Sequence, residues 1–224
     1  MHPIRKDFEV AAYAAAIYDY AGLAPAKWDY FETETLESPV CLGLKYLEGD
    51  TIITLRGSVT AEDWFANLAA WPVEHPDLGM VHPGFCDGIA AVWRRVKPRI
   101  KGRLYITGHS RGAAQAALLT AIAVLDNIRP ARVVLLGCPR PGGAKLAKIL
   151  DGASIASYRA VTQFEKDPIC DVPFDIMPAA AYVQPVPLRD LPVIVTNAAR
   201  QDMGLMFAIH FAPDYVAALQ NKGF

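Results

Sequence analysis

The 224-residue chain is 53% hydrophobic with a mean hydropathy of +0.19, which suits one domain, residues 1–224, with a full core. Its 22 Lys and Arg against 23 Asp and Glu leave a net charge of -1, which gives no electrostatic case for nucleic acid or an anionic membrane. Cys41, Cys86, Cys138 and Cys170 lie far apart with no C-x-x-C pair, so buried thiols are expected rather than zinc.

Asp7 to Ala21 reads as a helix ended by Gly22 and Pro25. Val40 to Leu47 and Thr51 to Leu55 read as a strand pair around Glu48-Gly49-Asp50. Ala61 to Ala70 is a short amphipathic helix with Trp64, Phe65 and Leu68 on its apolar side, and Pro72 to Gly79 reads as loop. Gly84 to Lys97 is helical and stops at Pro98. A strand to Thr107, a sharp turn and a helix to about Asp126 follow. Arg132 to Leu136 is a strand, Gly143 to Leu150 a helix and Ile155 to Val161 a strand. The proline-rich stretch Pro168 to Pro192 reads mostly as loop, Val193 to Thr196 as a short strand, and Pro213 to Gln220 as a helix with proline in its first turn. The alternation of strand and helix predicts an α/β fold. Its sheet is mostly parallel with helices on both faces, and its active site lies at the carboxyl ends of the strands. No apolar run reaches membrane-span length, and MHPIRKDFEV has no apolar signal region. A cytoplasmic setting is the default expectation, with release or non-standard export open.

The sharp turn is Gly108-His109-Ser110-Arg111-Gly112. A strand precedes it and an Ala/Leu-rich helix follows, which is the context of a nucleophile elbow. A P-loop is excluded by the spacing and the missing lysine. A serine hydroxyl needs a base, and on such a sheet the order is Ser, then Asp or Glu, then His. Of five histidines only His210 follows Ser110. The acid candidates are Asp151, Glu165, Asp167, Asp171, Asp175, Asp190 and Asp202. Asp167 ranks first because it follows the strand Ile155 to Val161, with Asp171 second and Asp175 third; by position alone Asp167 equally suits a surface loop. An oxyanion needs two donors. The backbone N–H of Arg111 is one, and Ser58, just past the strand Thr51 to Leu55, is the candidate for the other. An ordinary Gly-Ser turn fits Ser58 as well.

Taken together these residues resemble the class 3 lipases, the fungal-lipase-like branch of the α/β-hydrolases. Arg56-Gly57-Ser58 is similar to R-G-[ST], Val81-His82-Pro83-Gly84-Phe85 to V-H-x-G-F, and GHSRGAA to G-H-S-L-G-G-A. Gly137 to Gly142 is similar to G-x-P-R-x-G, Lys166-Asp167-Pro168-Ile169 to N-D-P-[IV], and His210 with Tyr215 to the terminal histidine and its aromatic. The chain departs from the pattern at Arg111 for Leu, Ala113 for Gly and Lys166 for Asn.

The resemblance implies an α/β-hydrolase fold and a carboxylic ester hydrolase working through an acyl-enzyme, with Ser110, His210 and Asp167 as its triad. It promotes Asp167 over Asp171 and supports Ser58 beside Arg111 as oxyanion donor. Trp64, Phe65 and Leu68 stand where the family has a lid or acyl-binding wall. The expected partner is a small-molecule or lipid ester, with transient lipid contact and no metal or cofactor; oligomeric state is left open. Phospholipase, acyltransferase and non-catalytic binding or scaffold roles are the alternatives. The Arg111 side chain is expected to pair with a nearby acid such as Glu62, Asp63 or Glu165, ahead of binding a substrate anion or narrowing the pocket.

Overall fold

Side chains alternate along the central strands, and the alternation sorts them onto two cores. In the computed structural model, which describes residues 5–18, 27–35, 40–57, 71–173, 182–195 and 209–224, Ile53, Leu55, Leu104, Ile106, Val133 and Leu135 fill one side of the sheet. Ile52, Tyr105, Val134 and Leu136 fill the other. A parallel sheet covered on both faces needs this near-continuous apolar run.

The elements in chain order are α1 (Asp7–Ala16), β1 (Tyr30–Glu32), β2 (Leu42–Leu47), β3 (Asp50–Leu55), β4 (Val73–His75), β5 (Gly79–Val81), α2 (Pro83–Cys86) and α3 (Ile89–Val96). Then come β6 (Leu104–His109), α4 (Arg111–Leu125), β7 (Arg132–Leu136), α5 (Ala144–Leu150), β8 (Ile155–Val161), β9 (Leu188–Pro192) and α6 (Ala212–Lys222). The main sheet has the order β1-β2-β3-β6-β7-β8-β9, so β6 is its central strand. β1, β2 and β3 are antiparallel neighbours, and every pairing from β3 to β9 is parallel. Helices α3 and α4 pack with the first core, α1 and α6 with the second. α4 is buried on almost every side, as its Ala/Leu composition with no charge between Gly112 and Leu125 allows. No helix among the described residues is long and apolar enough to cross a membrane.

The expected α/β layering is present, with local differences. β1 was not anticipated, because three residues carry too little periodicity. The stretch read as loop from Pro72 to Gly79 contains β4 and pairs with β5 as a hairpin. The helix expected over Gly84 to Lys97 is interrupted at Gly88, whose φ of 75° places it in the left-handed region. The last strand runs Leu188–Pro192 rather than Val193 to Thr196. It lies at the sheet edge, where a terminal proline removes no ladder hydrogen bond that the sheet needs. The helix expected over Ala61 to Ala70 lies outside the described residues.

α1 runs along the sheet from one end to the other. At its start, buried Asp7 accepts hydrogen bonds from Arg132 Nε and Nη2, both 2.6 Å, and from Tyr158 Oη at 2.6 Å. At its far end Tyr18 reaches His109, the last residue of β6. A buried carboxylate is tolerated because it is paired and fully hydrogen-bonded.

Candidate active site

Ser110 sits between the end of β6 and the start of α4 with φ 60° and ψ -132°. L-residues rarely occupy that region, so the serine is held there by its surroundings. A Cβ on Gly108 would collide with the Gly112 carbonyl, and one on Gly112 with the Leu55 carbonyl. Both flanking residues must therefore be glycine for the strand to enter the helix so abruptly. The Ser110 N–H donates to Leu136 O at 3.0 Å, and its carbonyl accepts from Ala113 N at 2.9 Å to open the helix. Ser110 is largely buried, at 7% exposure.

Arg111 holds the first helical position, where a backbone N–H has no intrahelical acceptor and points out of the helix N-terminus. The Arg56-Gly57 segment after β3 lies directly on the elbow: a Cβ on Gly57 would stand 2.7 Å from His109 O and 2.9 Å from Ser110 Cβ. Ser58 follows it and lies outside the described residues, as do Trp64, Phe65 and Leu68.

Asp167 caps the 3-10 turn Pro168–Asp171 beyond β8 and is wholly buried. Its Oδ2 is 2.5 Å from His210 Nδ1 and accepts from Tyr215 Oη at 2.5 Å, while Oδ1 accepts from Ile169 N at 2.9 Å. Burial pushes the carboxyl up. The electrostatic attraction of His210 and the hydrogen bonds from His210, Tyr215 and Ile169 outweigh it and hold Asp167 below the usual carboxylate range. Burial, with Asp167 beside it, holds Tyr215 well above the usual phenol range, so its hydroxyl stays a donor. Tyr215 also accepts from Ala160 N at 2.9 Å, tying α6 to β8. Asp175 and Asp202 lie outside the described residues. Asp171 is half-exposed and faces Arg140 and Arg159 at 3.9 and 3.8 Å. Asp190 pairs with Arg159 and Lys166.

His210, just before α6, lies ring to ring with His109, centroids 4.4 Å apart, which places it beside the elbow. The loop after β7 closes around the pair. Gly137 has φ 54°, and a Cβ there would stand 2.6 Å from His210 Cε1, 2.8 Å from its Nδ1 and 2.9 Å from Asp167 Oδ2. Gly137→Ala is expected to displace the imidazole. It should lower kcat by about 10²-fold and cost about 1–2 kcal/mol of stability from the left-handed backbone, measured by ester kinetics and denaturant unfolding.

Sequence reasoning missed Gln184. Its Nε2 donates to the carbonyls of Cys138, at 3.1 Å, and Cys170, clamping the β7 loop to the acid loop. Nothing local in Pro185-flanked Gln184 signals that role. The Arg111 side chain does form an ion pair with a nearby acid, Glu34; of the acids named above, Glu62 and Asp63 lie outside the described residues. Glu34 follows β1, and without that strand the acid had no predicted place near the elbow. Arg140 holds two loops together: its backbone N–H donates to Val172 O at 2.8 Å and its Nη1 to Pro173 O at 3.4 Å. His82 is fully buried, stacks on Phe85 at 4.1 Å, and its backbone N–H reaches Pro141 O at 2.9 Å. Burial pushes the thiol of Cys41 up to about 11 and raises Cys86, Cys138 and Cys170, so none is a competing nucleophile. No metal-sized group of His, Cys, Asp or Glu occurs among the described residues.

Comparison with known proteins agrees with this geometry. A lipase of Rhizomucor miehei is 29% identical over 126 residues, covering 50% of this chain and 34% of that protein. The secreted mono- and diacylglycerol lipase A of Penicillium cyclopium is 24% identical over 147 residues, 57% of this chain and 45% of the relative. The chain thus matches between a third and a half of the length of these relatives. The solved Rhizomucor miehei triacylglyceride lipase superposes with a TM-score of 0.62 at 20% identity, covering 84% of this chain and 78% of that one. A triacylglycerol lipase whose catalytic centre is described as a serine protease triad gives 0.64 at 18% identity, covering 95% and 96%. These likenesses identify the α/β-hydrolase fold. The family model described as Lipase (class 3) matches residues 52–177, more than half of the chain and inclusive of Ser110 and Asp167, and the chain belongs to that family.

Proposed function

We propose that the protein is a serine carboxylic ester hydrolase acting on lipid or other acyl esters. The observation that carries this reading is the Asp167–His210 hydrogen bond beside a strained serine at the end of the central strand. In the proposed reaction Ser110 Oγ attacks the ester carbonyl and His210 takes its proton. His210 then returns the proton to the leaving alcohol, and water activated by the same ring cleaves the acyl-enzyme. Asp167 orients the imidazole and stabilises its charged form. The Arg111 N–H and Ser58 hold the oxyanion. The lipase relatives support an acyl ester as substrate. Contact with a lipid surface is supported by Trp71, 67% exposed at the end of the DWFANLAAW segment, and by the interfacial activation described for a fungal lipase of this fold.

The test is a p-nitrophenyl ester series from acetate to palmitate, paired with an alkyl p-nitrophenyl phosphonate and mass mapping of the adduct. Turnover with the phosphonate bonded to Ser110 is the expected result. Rates rising with long chains above the micellar threshold point to a lipid surface, and rates confined to short chains to soluble esters. A folded protein with neither turnover nor label overturns the reading.

A further inference from the structure

Asp167 grips His210 at one nitrogen only. That bond by itself leaves the ring plane free to turn, and the aim of the other nitrogen with it. Two more contacts remove this freedom. Gly137 lies along the Nδ1–Cε1 edge. The His109 ring lies over the face, centroids 4.4 Å apart and planes 31° from parallel.

We infer that His109, anchored by Tyr18, is a positioning residue that holds the ring of His210 in line for proton transfer. This rests on the reading of Ser110 and His210 proposed above. Tyr18 Oη lies 2.8 Å from His109 Nδ1, a contact between residues 91 apart in the chain. It also stands against Gly57, so the same hydroxyl touches the segment that leads to Ser58. The anchor therefore connects α1, the elbow and the oxyanion side.

The pairing also explains why a histidine suits this place. Its face packs as an apolar ring would, while Nδ1 gives Tyr18 something to hold. The groups facing it are Tyr18 from just past α1, His210, Tyr215 of α6 edge-on at 5.9 Å, and Asp167 behind His210. Burial, reinforced by the repulsion that a proton on His109 would feel from an imidazolium at His210, keeps His109 well below the usual imidazole range. When His210 becomes imidazolium it faces a neutral ring, which can stabilise a cation through its face, and not a second positive charge.

The experiment compares Tyr18→Phe, His109→Phe and His109→Ala with the wild type. The readouts are kcat and KM for p-nitrophenyl butyrate across pH, thermal melting, and the downfield proton resonance of the His210–Asp167 hydrogen bond. His109→Ala is expected to lower kcat by about 10–100-fold with KM within about twofold, and to broaden the resonance. His109→Phe, which keeps a flat neutral wall, recovers most of the kcat, and Tyr18→Phe falls between. Each profile keeps a single-proton acid limb. Wild-type kcat with an unchanged resonance in His109→Ala overturns the inference. So does a loss carried by KM, which would make His109 a substrate contact, or an acid limb in which two protons titrate together. A wild type without esterase activity, whose resonance still broadens in His109→Ala, sinks the hydrolase reading and leaves the positioning role standing.

Discussion

Ser110→Ala is expected to lower kcat on a p-nitrophenyl ester by about 10⁶-fold while the protein stays folded. The substitution removes one oxygen and changes no backbone requirement, because alanine meets the same constraint that serine already bears at φ 60° and ψ -132°. The residual rate over water comes from the oxyanion donors and binding. Ser110→Gly separates chemistry from strain. Glycine occupies this region freely, so the strain of about 1–3 kcal/mol is relieved. Glycine's extra unfolded-state entropy takes back about 0.5–1 kcal/mol. A net gain of about 1 kcal/mol is expected, or about 2–4 °C in Tm for a chain of this size. Circular dichroism melts and initial rates on the same preparations check both parts. An inactive Ser110→Gly that melts below the wild type would show that the elbow stores no strain.

Asp167→Asn should be nearly as damaging, lowering kcat by about 10⁴-fold. The amide presents an N–H where His210 Nδ1 now meets a carboxylate oxygen at 2.5 Å. Donating that N–H to Nδ1 selects the tautomer with its proton on Nε2, which cannot accept from Ser110. The change also disturbs Tyr215, which donates to the same oxygen. Stability carries a second signature. Asp167 is held below the usual carboxylate range in the folded protein. Its contribution is therefore fully present above the unfolded carboxyl value of about 3.9. It is lost as pH falls through the lower folded value. The stability gap between wild type and Asp167→Asn should be widest near neutral pH and should shrink below about pH 4. Urea unfolding at pH 7, 5 and 3.5 reads it out. A gap that widens toward acid would mean that Asp167 is not ionised in the folded state.

Much of this was legible from local features. Gly108 and Gly112 announced the elbow as a five-residue pattern between a strand and a helix, although only the Gly108 requirement is local, a clash with the Gly112 carbonyl, and that of Gly112 is set by the Leu55 carbonyl. The core strands declared themselves through apolar runs bounded by turn residues, and Ile155 to Val161 matched β8 at both ends. His210 was found because chain order left no other histidine after Ser110. The short strands β1, β4 and β5 and the edge strand β9 were missed. Three residues give no period to read, and prolines disguise a strand whose outer edge needs no donors.

By itself, then, the sequence determined the layered α/β arrangement, the position of Ser110 at the end of the central strand and the choice of His210 as the proposed base. These depend on residue spacing, on conformational preference and on the order of the chain. Only the tertiary structure decided which acid meets the base, what Tyr215 and Gln184 hold, which carboxylate pairs with Arg111, and that Tyr18 anchors His109. Each of these is a contact between side chains brought together by folding, 91 residues apart for Tyr18 and His109 and 77 for Arg111 and Glu34. Asp167 and Asp171 sit in one short turn, and the sequence ranked Asp167 first on position and resemblance without showing its contact. What separates them is which carboxylate the fold buries against His210 and which it leaves facing Arg140 and solvent.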